Sequence, residues 1–478
     1  MALKAAPFLS RLPDERATMI GMRRIPYPQR EANVLQIKKL GTSVMDDSVD
    51  VVIIGAGIIG CCVAYELAKS GKRTLNIDKL PASGYGSTSG SCAIIRTHYS
   101  TVDGCALAYE GVFAWREWAD YIGVPDERGL AIYHNTGCVA MRTESNDFLK
   151  PMCERLDIIG IPWESWDQDK IKEQLPFFDL NRFAPAKRMD DAAFGTPVGG
   201  LVEGAIFFPD AGYVSDPQLA THNVQCAVEA AGGAFRFNAE VTEIRRDAGS
   251  VAGVTLADGS RIDAPVIVNV AGPHSSRINE MAGVVDDMNI ETKALRQEVA
   301  HVPSPEGFDF EHNGYILTDS DVGNYCRPEI GNHILIGSED PECDPREYVD
   351  PDNYNRDFTD QWTTQVHREA QRIPTLPIPS RMQGVVDLYD VSDDWIPIYD
   401  RSSLDGFYMA IGTSGNQFKN APVAGAMMAE LILACEGGHD HDADPIQFSL
   451  PHIERTIDVG FYSRRREINM NSSFSVLG

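Results

Sequence analysis

The stretch Val51–Lys79, VVIIGAGIIGCCVAYELAKSGKRTLNIDK, constrains this chain more than any other. Val51–Ile54 are four consecutive β-branched residues, the pattern of a strand buried on both faces of a parallel sheet. Gly55, Gly57 and Gly60 follow in the spacing GxGxxG, and a helical run continues to Lys69 with Gly71 just past it. A second strand, Arg73–Ile77, closes on Asp78, 18 residues after Gly60. Gly55 lets the strand turn sharply, Gly57 lets a pyrophosphate approach the backbone, and Gly60 lets the helix pack on the strand. The helix start offers free N–H groups and a positive dipole end to phosphates. Asp78 stands where a carboxylate accepts hydrogen bonds from ribose hydroxyls, and it would repel the 2′-phosphate of NADP. A glycine cluster alone is weak evidence; strand, turn, helix, strand and acid in order make a dinucleotide-binding unit.

The chain has 478 residues, enough for two or three domains. No window approaches 18 uninterrupted apolar residues, so no membrane span is expected. A net charge of -27 argues against nucleic acid and anionic membranes, and its plain reading is solubility. The ten Cys include no CxxC, so neither a disulfide framework nor a zinc pattern is present, and no metal is expected. Charges run through the first residues without an apolar core, and a cytoplasmic location is expected.

Residues 1–48 read as an N-terminal arm lying on the body or on an oligomer partner, with a disordered leader as the plain alternative. Leu80–Ser100, with Gly84, Gly86 and Gly90 among Ser and Thr, reads as a donor-rich loop ending in Ile94-Ile95-Arg96. Asp103–Ile122 reads as an amphipathic helix, and Pro217–Ala230 as another. Phe235–Ile244 and Val251–Leu256 read as antiparallel strands, with Asp258-Gly259 as a hairpin turn. Ala264–Val270 reads as a buried strand ending in Ala271-Gly272-Pro273, small residues that allow close backbone approach. Strands are expected at Leu295–Val302, Gly323–Arg327 and His333–Ile336, and a helix at Thr359–Arg372. A second glycine turn, Gly412–Lys419, lies between the strand Gly406–Ile411 and the apolar helix Ala421–Cys435. Residues 436–478 read as a polar tail whose Arg464-Arg465-Arg466 run is a solvated surface.

These segments resemble the flavin-dependent D-amino-acid oxidase superfamily, and within it the sarcosine oxidase and dimethylglycine dehydrogenase branch. The resemblance runs from about Val51 to Cys435 and rests on VVIIGAGIIG with Asp78, STSGSCAIIR, GYVSDP, VIVNVAGP, YCRPE with LIGSED, YDVSDDWIPI and FYMAIGTSGNQFKNAP. It implies FAD, with Gly55, Gly57 and Gly60 on the pyrophosphate and Asp78 on the adenosine ribose. Ala56, Ile58 and Ile59 complete that turn, and Lys79 follows the acid. Val241 matches the family's strand residue that meets adenine. Ser87, Thr88, Ser89, Ala93 and Ile94 would line the phosphate and isoalloxazine, and Ala271 and Gly272 would contact the cofactor. Thr413, Gly415, Asn416 and Gln417 would sit at the flavin's pyrimidine edge, with the following helix end stabilising charge on reduced flavin.

Arg96 and Lys419 match the two basic residues that hold the substrate carboxylate in sarcosine oxidases. The plain alternatives are a surface ion pair for Arg96 and a solvated lysine at a helix start for Lys419, a poor place for a cation. Two departures imply a non-covalent flavin: Val386–Tyr389 lacks the attachment Cys of monomeric sarcosine oxidases, and GSTSGS lacks the attachment His of dimethylglycine dehydrogenases. No Lys lies between Lys293 and Lys419, so the family's oxygen-activating lysine is missing, with Arg327 as the candidate substitute. His98 is a candidate acid–base helper, its plain reading a core or surface histidine.

The expected fold is α/β, a Rossmann-like FAD-binding domain with an inserted mixed or antiparallel-sheet substrate domain. Its boundaries fall at 49–125, 210–290 and 386–435 for the FAD domain and at 126–209 and 291–385 for the substrate domain. The expected activity is oxidation of a C–N bond in a small secondary or tertiary amine or amino acid, of the sarcosine or dimethylglycine class. Hydride passes to flavin N5 and the imine hydrolyses. The alternatives are a 2-hydroxy acid or glycerol phosphate on the same fold, or a flavoprotein subunit of a larger dehydrogenase complex. Expected partners are a carboxylated amine and an acceptor, oxygen or an electron-transfer protein, with room for a homo-oligomer.

Overall fold

The computed structural model describes residues 48–143, 146 and 148–477, so the arm expected over residues 1–48 lies, apart from Ser48, outside the described residues. Val51–Ile54 forms the strand its β-branched run predicts, and it sits at the heart of a six-stranded sheet. The order across that sheet is Ile398–Arg401, Phe407–Ile411, Val266–Asn269, Val51–Ile54, Thr74–Ile77 and Ala234–Arg236. Neighbours are parallel except at the edge, where Ile398–Arg401 runs antiparallel to Phe407–Ile411. Period-two alternation sends Val51 and Ile53 into a core with the helices Ile58–Lys69, Pro217–Ala230 and Ala421–Glu436. Val52 and Ile54 face the opposite core, built on Val241–Asp247, Ser250–Leu256 and Arg261–Asp263. These three strands form a separate small antiparallel sheet.

The second lobe is an eight-stranded sheet in the order Gly384–Ser392, Thr292–Pro303, His333–Ser338, Asn324–Glu329, Ile316–Asp319, Cys138–Arg142, Gly204–Phe208 and Glu164–Trp166. All its pairings are antiparallel except Ile316–Asp319 with Cys138–Arg142, so the sheet is mixed. The α/β fold with a Rossmann-like sheet and a second, mixed-sheet lobe is the architecture expected.

Four local expectations change. Asp103–Ile122 is two helices, Val102–Arg116 and Trp118–Ile122, broken at Glu117. Phe235–Ile244 is two strands rather than one. Asn238 takes φ +53 between them, and the N–H groups of Asn238 and Ala239 donate to Leu80 O and Asp78 O, both at 3.0 Å. The break lets one half extend the parallel sheet and the other start the small antiparallel one. Gly384–Ser392 is one strand, paired along its length with residues 292–300, and it crosses the boundary drawn at 386. Arg464 is not solvated: its side chain is fully buried and bonds Asp287, Asp400 and Asp442. Arg465 bonds Asp287 and Asp442 from a half-exposed position, and Arg466 bonds Asp394. Four acids on separate elements have turned the basic run into an anchor for the tail.

Candidate active site

The glycine turn is fixed by backbone contacts. Gly55 has φ +120, and a Cβ there would lie 2.3 Å from Val270 O. A Cβ on Gly60 would lie 2.5 Å from Gly55 O, so the helix can approach the strand only without a side chain. Gly57 caps the helix with extended backbone, no side-chain capping bond and no acid in the first turn. A Cβ on Gly57 would come within 3.1 Å of Thr88 Oγ1, which itself accepts a hydrogen bond from Ile58 N at 3.3 Å. The helix end therefore faces a cavity of about 640 Å³, within the size range of ligand sites.

Asp78 closes the second strand at this cavity. Its carboxylate accepts from Ala56 N at 2.8 Å and Leu80 N at 2.9 Å. Burial raises its pKa above the usual carboxylate range. Val241 and Ala239, just past the break at Asn238, line the same end. Lys79 also lines the cavity, but its ammonium is bound to Asp352 at 2.5 Å and to His274 at 2.9 Å. Asp352, Tyr354 and Arg356 line the cavity from the second lobe.

The loop after Asp78 follows the cavity wall. Ser87, Thr88, Ser89, Ala93 and Ile94 all line it, and Ser87 Oγ donates to Leu388 O at 2.8 Å, joining the two lobes. Ala93 holds φ +48 and Ser414 φ +49, non-glycine residues in left-handed backbone on either side of the site. Ala271 and Gly272 line the cavity, as do Thr413, Gly415, Asn416 and Gln417 of the second glycine turn. Asp390, which sequence reasoning missed, organises that turn. Its Oδ2 accepts from Gly412 N at 2.7 Å and Ser275 Oγ at 2.9 Å, and its carbonyl accepts from Ser414 N at 2.6 Å. Burial pushes its carboxyl up to about 7.

Arg96 and Lys419 meet at one end of the cavity. Both lie against the Tyr99 ring, Arg96 at 4.3 Å and Lys419 at 5.2 Å from its centre. The Lys419 ammonium donates to Asn416 O at 2.7 Å and Tyr99 Oη at 3.0 Å. Burial, reinforced by the Arg96 charge, drives its pKa well below the usual lysine range. Neither cation has the solvated setting of its plain alternative: both are buried. The Arg96 guanidinium donates to Val476 O at 2.8 Å and to Leu477 O.

Two candidates are corrected. Arg327 is buried away from the cavity lining, with its donors committed to Cys92 O at 2.6 Å, Pro328 O at 2.5 Å and Glu329 at 2.9 Å. It braces the loop at Cys92 from behind and does not reach the cavity as a free cation. His98 does not line the cavity either; it stacks on Phe208 at 4.1 Å. Burial, with Arg96 and Lys419 nearby, holds its pKa well below the usual range, so it stays neutral. Its Nδ1 has no hydrogen-bond partner. The remaining lining residues include Tyr325 and Tyr389, whose hydroxyls are 3.4 Å apart. Burial raises both phenols, which remain protonated donors. Outside the cavity, Asp126, His222 and Cys226 bring three donor atoms within 4.8 Å. The Asp126 oxygen there is already bonded to His222 Nδ1 at 2.6 Å and Asn223 Nδ2 at 2.8 Å.

A glycine-cradled helix end, an acid closing the second strand at the cavity and a cavity reaching across two lobes fit FAD. Residues 50–431 match the FAD dependent oxidoreductase family. The chain belongs to that family. FAD is its cofactor, and the protein is an oxidoreductase. It is 26% identical to peroxisomal sarcosine oxidase of Homo sapiens over 415 residues, covering 82% of this chain and 94% of that protein. It is 24% identical to sarcosine oxidase subunit beta of Rhodobacter capsulatus, covering 80% and 84%. Its fold is similar to the crystal structure of L-proline dehydrogenase from P. horikoshii, with TM-score 0.69 and 21% identity over 88% of this chain and 97% of that one. No described helix is long and apolar enough to cross a membrane.

Proposed function

We propose that this chain oxidises the C–N bond of a small secondary or tertiary amine carrying a carboxylate, an N-methyl amino acid being the model substrate. The observation that carries this reading is Arg96. It is a buried guanidinium at the cavity end, beside Lys419, donating to two oxygen atoms. A site that satisfies two adjacent oxygens of the chain itself has the geometry to take the two oxygens of a carboxylate. Lys419 adds to this. An arriving anion would offset the mutual repulsion of the two cations and draw the Lys419 ammonium back toward its charged form. The likeness to proteins named sarcosine oxidase supports the same class.

FAD, when bound, supplies the two-electron acceptor for hydride from the carbon beside nitrogen. The chain's own residues bind, orient and exclude water. Arg96 and Lys419 would hold the acid end, and Tyr325 and Tyr389 present protonated hydroxyls to the cavity. None of these is a strong base, which suits a substrate that reacts as the neutral amine. The imine product then takes up water and releases a carbonyl compound and the smaller amine.

A second reading, a flavoprotein subunit of a larger dehydrogenase complex, is favoured by the likeness to a protein named as a subunit. Anaerobic mixing of the isolated holoprotein with N-methyl amino acids, 2-hydroxy acids and glycerol 3-phosphate separates these readings. Flavin bleaching by the amines alone is expected. Bleaching only by a hydroxy compound overturns the amine assignment, and none with any substrate favours a missing subunit.

A further inference from the structure

The chain's last described residues enter the cavity. Arg464 and Arg466 pin the tail to Asp287, Asp400, Asp442 and Asp394, and Asn469 N donates to Asp394 at 3.3 Å. Beyond that anchor the character changes. Residues 472–477 pair with no strand, and their internal bonds are short-range serine turns, such as Ser473 Oγ to Ser475 Oγ at 3.1 Å. Three contacts seat the segment. Arg346 donates to Phe474 O at 2.5 Å, and Val476 packs with Cys92, Tyr325 and Trp395. Arg96 takes the carbonyls of Val476 and Leu477, two residues that line the cavity themselves.

We propose that segment 472–477 is a substrate-displaced gate on Arg96: it occupies the guanidinium through two peptide oxygens in the resting enzyme and yields it to an incoming carboxylate. This rests on the reading of Arg96 as the carboxylate anchor. The exchange has a direction. A carboxylate brings a full negative charge and bidentate geometry to the guanidinium, where the two peptide carbonyls bring only dipoles, so an anion outcompetes them. A carboxyl-free amine gains no such contact and leaves the gate shut. The buried arginine anchor upstream keeps the displaced segment tethered close by. Ligand affinity is then lowered by the fraction of molecules in which Arg96 is free.

The test uses FAD-loaded protein cut after Asn471 and, in the full chain, Val476→Gly. The probe is acetate, a carboxylate with nothing to oxidise, titrated through its shift of the flavin spectrum. Acetate should bind roughly five- to tenfold tighter in both variants, as expected when the gate is shut in most molecules. The KM for an N-methyl amino acid should fall in parallel, with kcat/KM for its carboxyl-free analogue unchanged. In the wild-type chain, acetate should speed chymotrypsin cleavage after Phe474. Unchanged or weaker acetate binding in both variants makes the segment a fixed wall and overturns the gate. Arg96→Leu separates the two levels. Acetate binding lost there, with no gain on truncation, refutes the gate alone. Acetate binding indifferent to Arg96 refutes the anchor.

Discussion

Arg464→Met should cost about 3 kcal/mol of stability. The guanidinium is fully buried, and it bonds Asp287 at 2.5 Å, Asp442 at 2.8 Å and Asp400 at 3.0 Å. Asp400 is fully buried as well, so removing the arginine leaves a carboxylate in the interior without its counter-charge. Breaking such a pair from one side costs roughly 3–5 kcal/mol. The lower end applies, because Asp400 keeps bonds from Ser463 Oγ at 3.0 Å, Arg464 N at 2.8 Å and Arg401 N at 2.7 Å. The neighbouring Arg465→Met should cost about 1 kcal/mol or less, since that side chain is half exposed and water screens its pairs. Denaturant unfolding of the three proteins at one pH measures these differences. The double variant Arg464→Met with Asp400→Asn supplies the check on cause. It removes the stranded charge and should recover part of the loss, an interaction of about 1 kcal/mol or more. A loss below about 0.5 kcal/mol for Arg464→Met, or a double variant no better than the sum of its parts, refutes the buried-charge argument.

Three further outcomes are expected. Gly55→Ala combines a φ of +120 with a Cβ 2.3 Å from Val270 O, so it should destabilise by about 3 kcal/mol or more and lower the flavin-to-protein ratio, read by absorbance. Asp390, raised from 3.8 to about 7, stabilises the fold below its unfolded value and loses that contribution as pH rises through 7. Wild type should therefore lose up to roughly 4 kcal/mol relative to Asp390→Asn between pH 4 and pH 8, and melting curves in which the two track together would contradict this. Reduced flavin should reoxidise slowly in air and quickly with an artificial dye, because no Lys lies between 293 and 419 and Arg327 is committed to Cys92 O. Rapid stoichiometric peroxide formation is the opposing result.

The dinucleotide unit was legible because its requirements are local. Four β-branched residues bury on both faces wherever they sit in a parallel sheet, and Gly60 is needed for one backbone approach, to Gly55 O. The cofactor-side residues named from the sequence, from Asp78 to Gln417, line one cavity for the same reason: they occupy the turns at strand ends. Failures occurred where a side chain's fate depends on a distant partner. In the sequence Arg327 looks available, and its donors are taken by a carbonyl 235 positions away and two neighbours. A run of arginines such as that at Arg464 reads as solvated, while Asp287, Asp400 and Asp442 converge on it from distant parts of the chain. Asp390 stands in the YDVSDDWIPI segment, but its role is not legible there because it holds Gly412 N, in a turn 22 positions on. The split at Asn238 lay within reach, since Asn tolerates left-handed backbone and an Asn inside a strand pattern invites a break.

The central claim is that Arg96 captures the carboxylate of an amine at the flavin. Its most direct test is anaerobic flavin reduction by wild type and Arg96→Leu, each with an N-methyl amino acid and with the same amine lacking its carboxyl group. Charge-assisted bonds contribute about 1.5–3 kcal/mol, so Arg96→Leu should slow reduction by the acid at low concentration roughly tenfold to a hundredfold or more. Reduction by the carboxyl-free amine should be unchanged. Equal loss with both amines, or no loss with either, would contradict the assignment of Arg96 and with it the carboxylated-amine reading of the site.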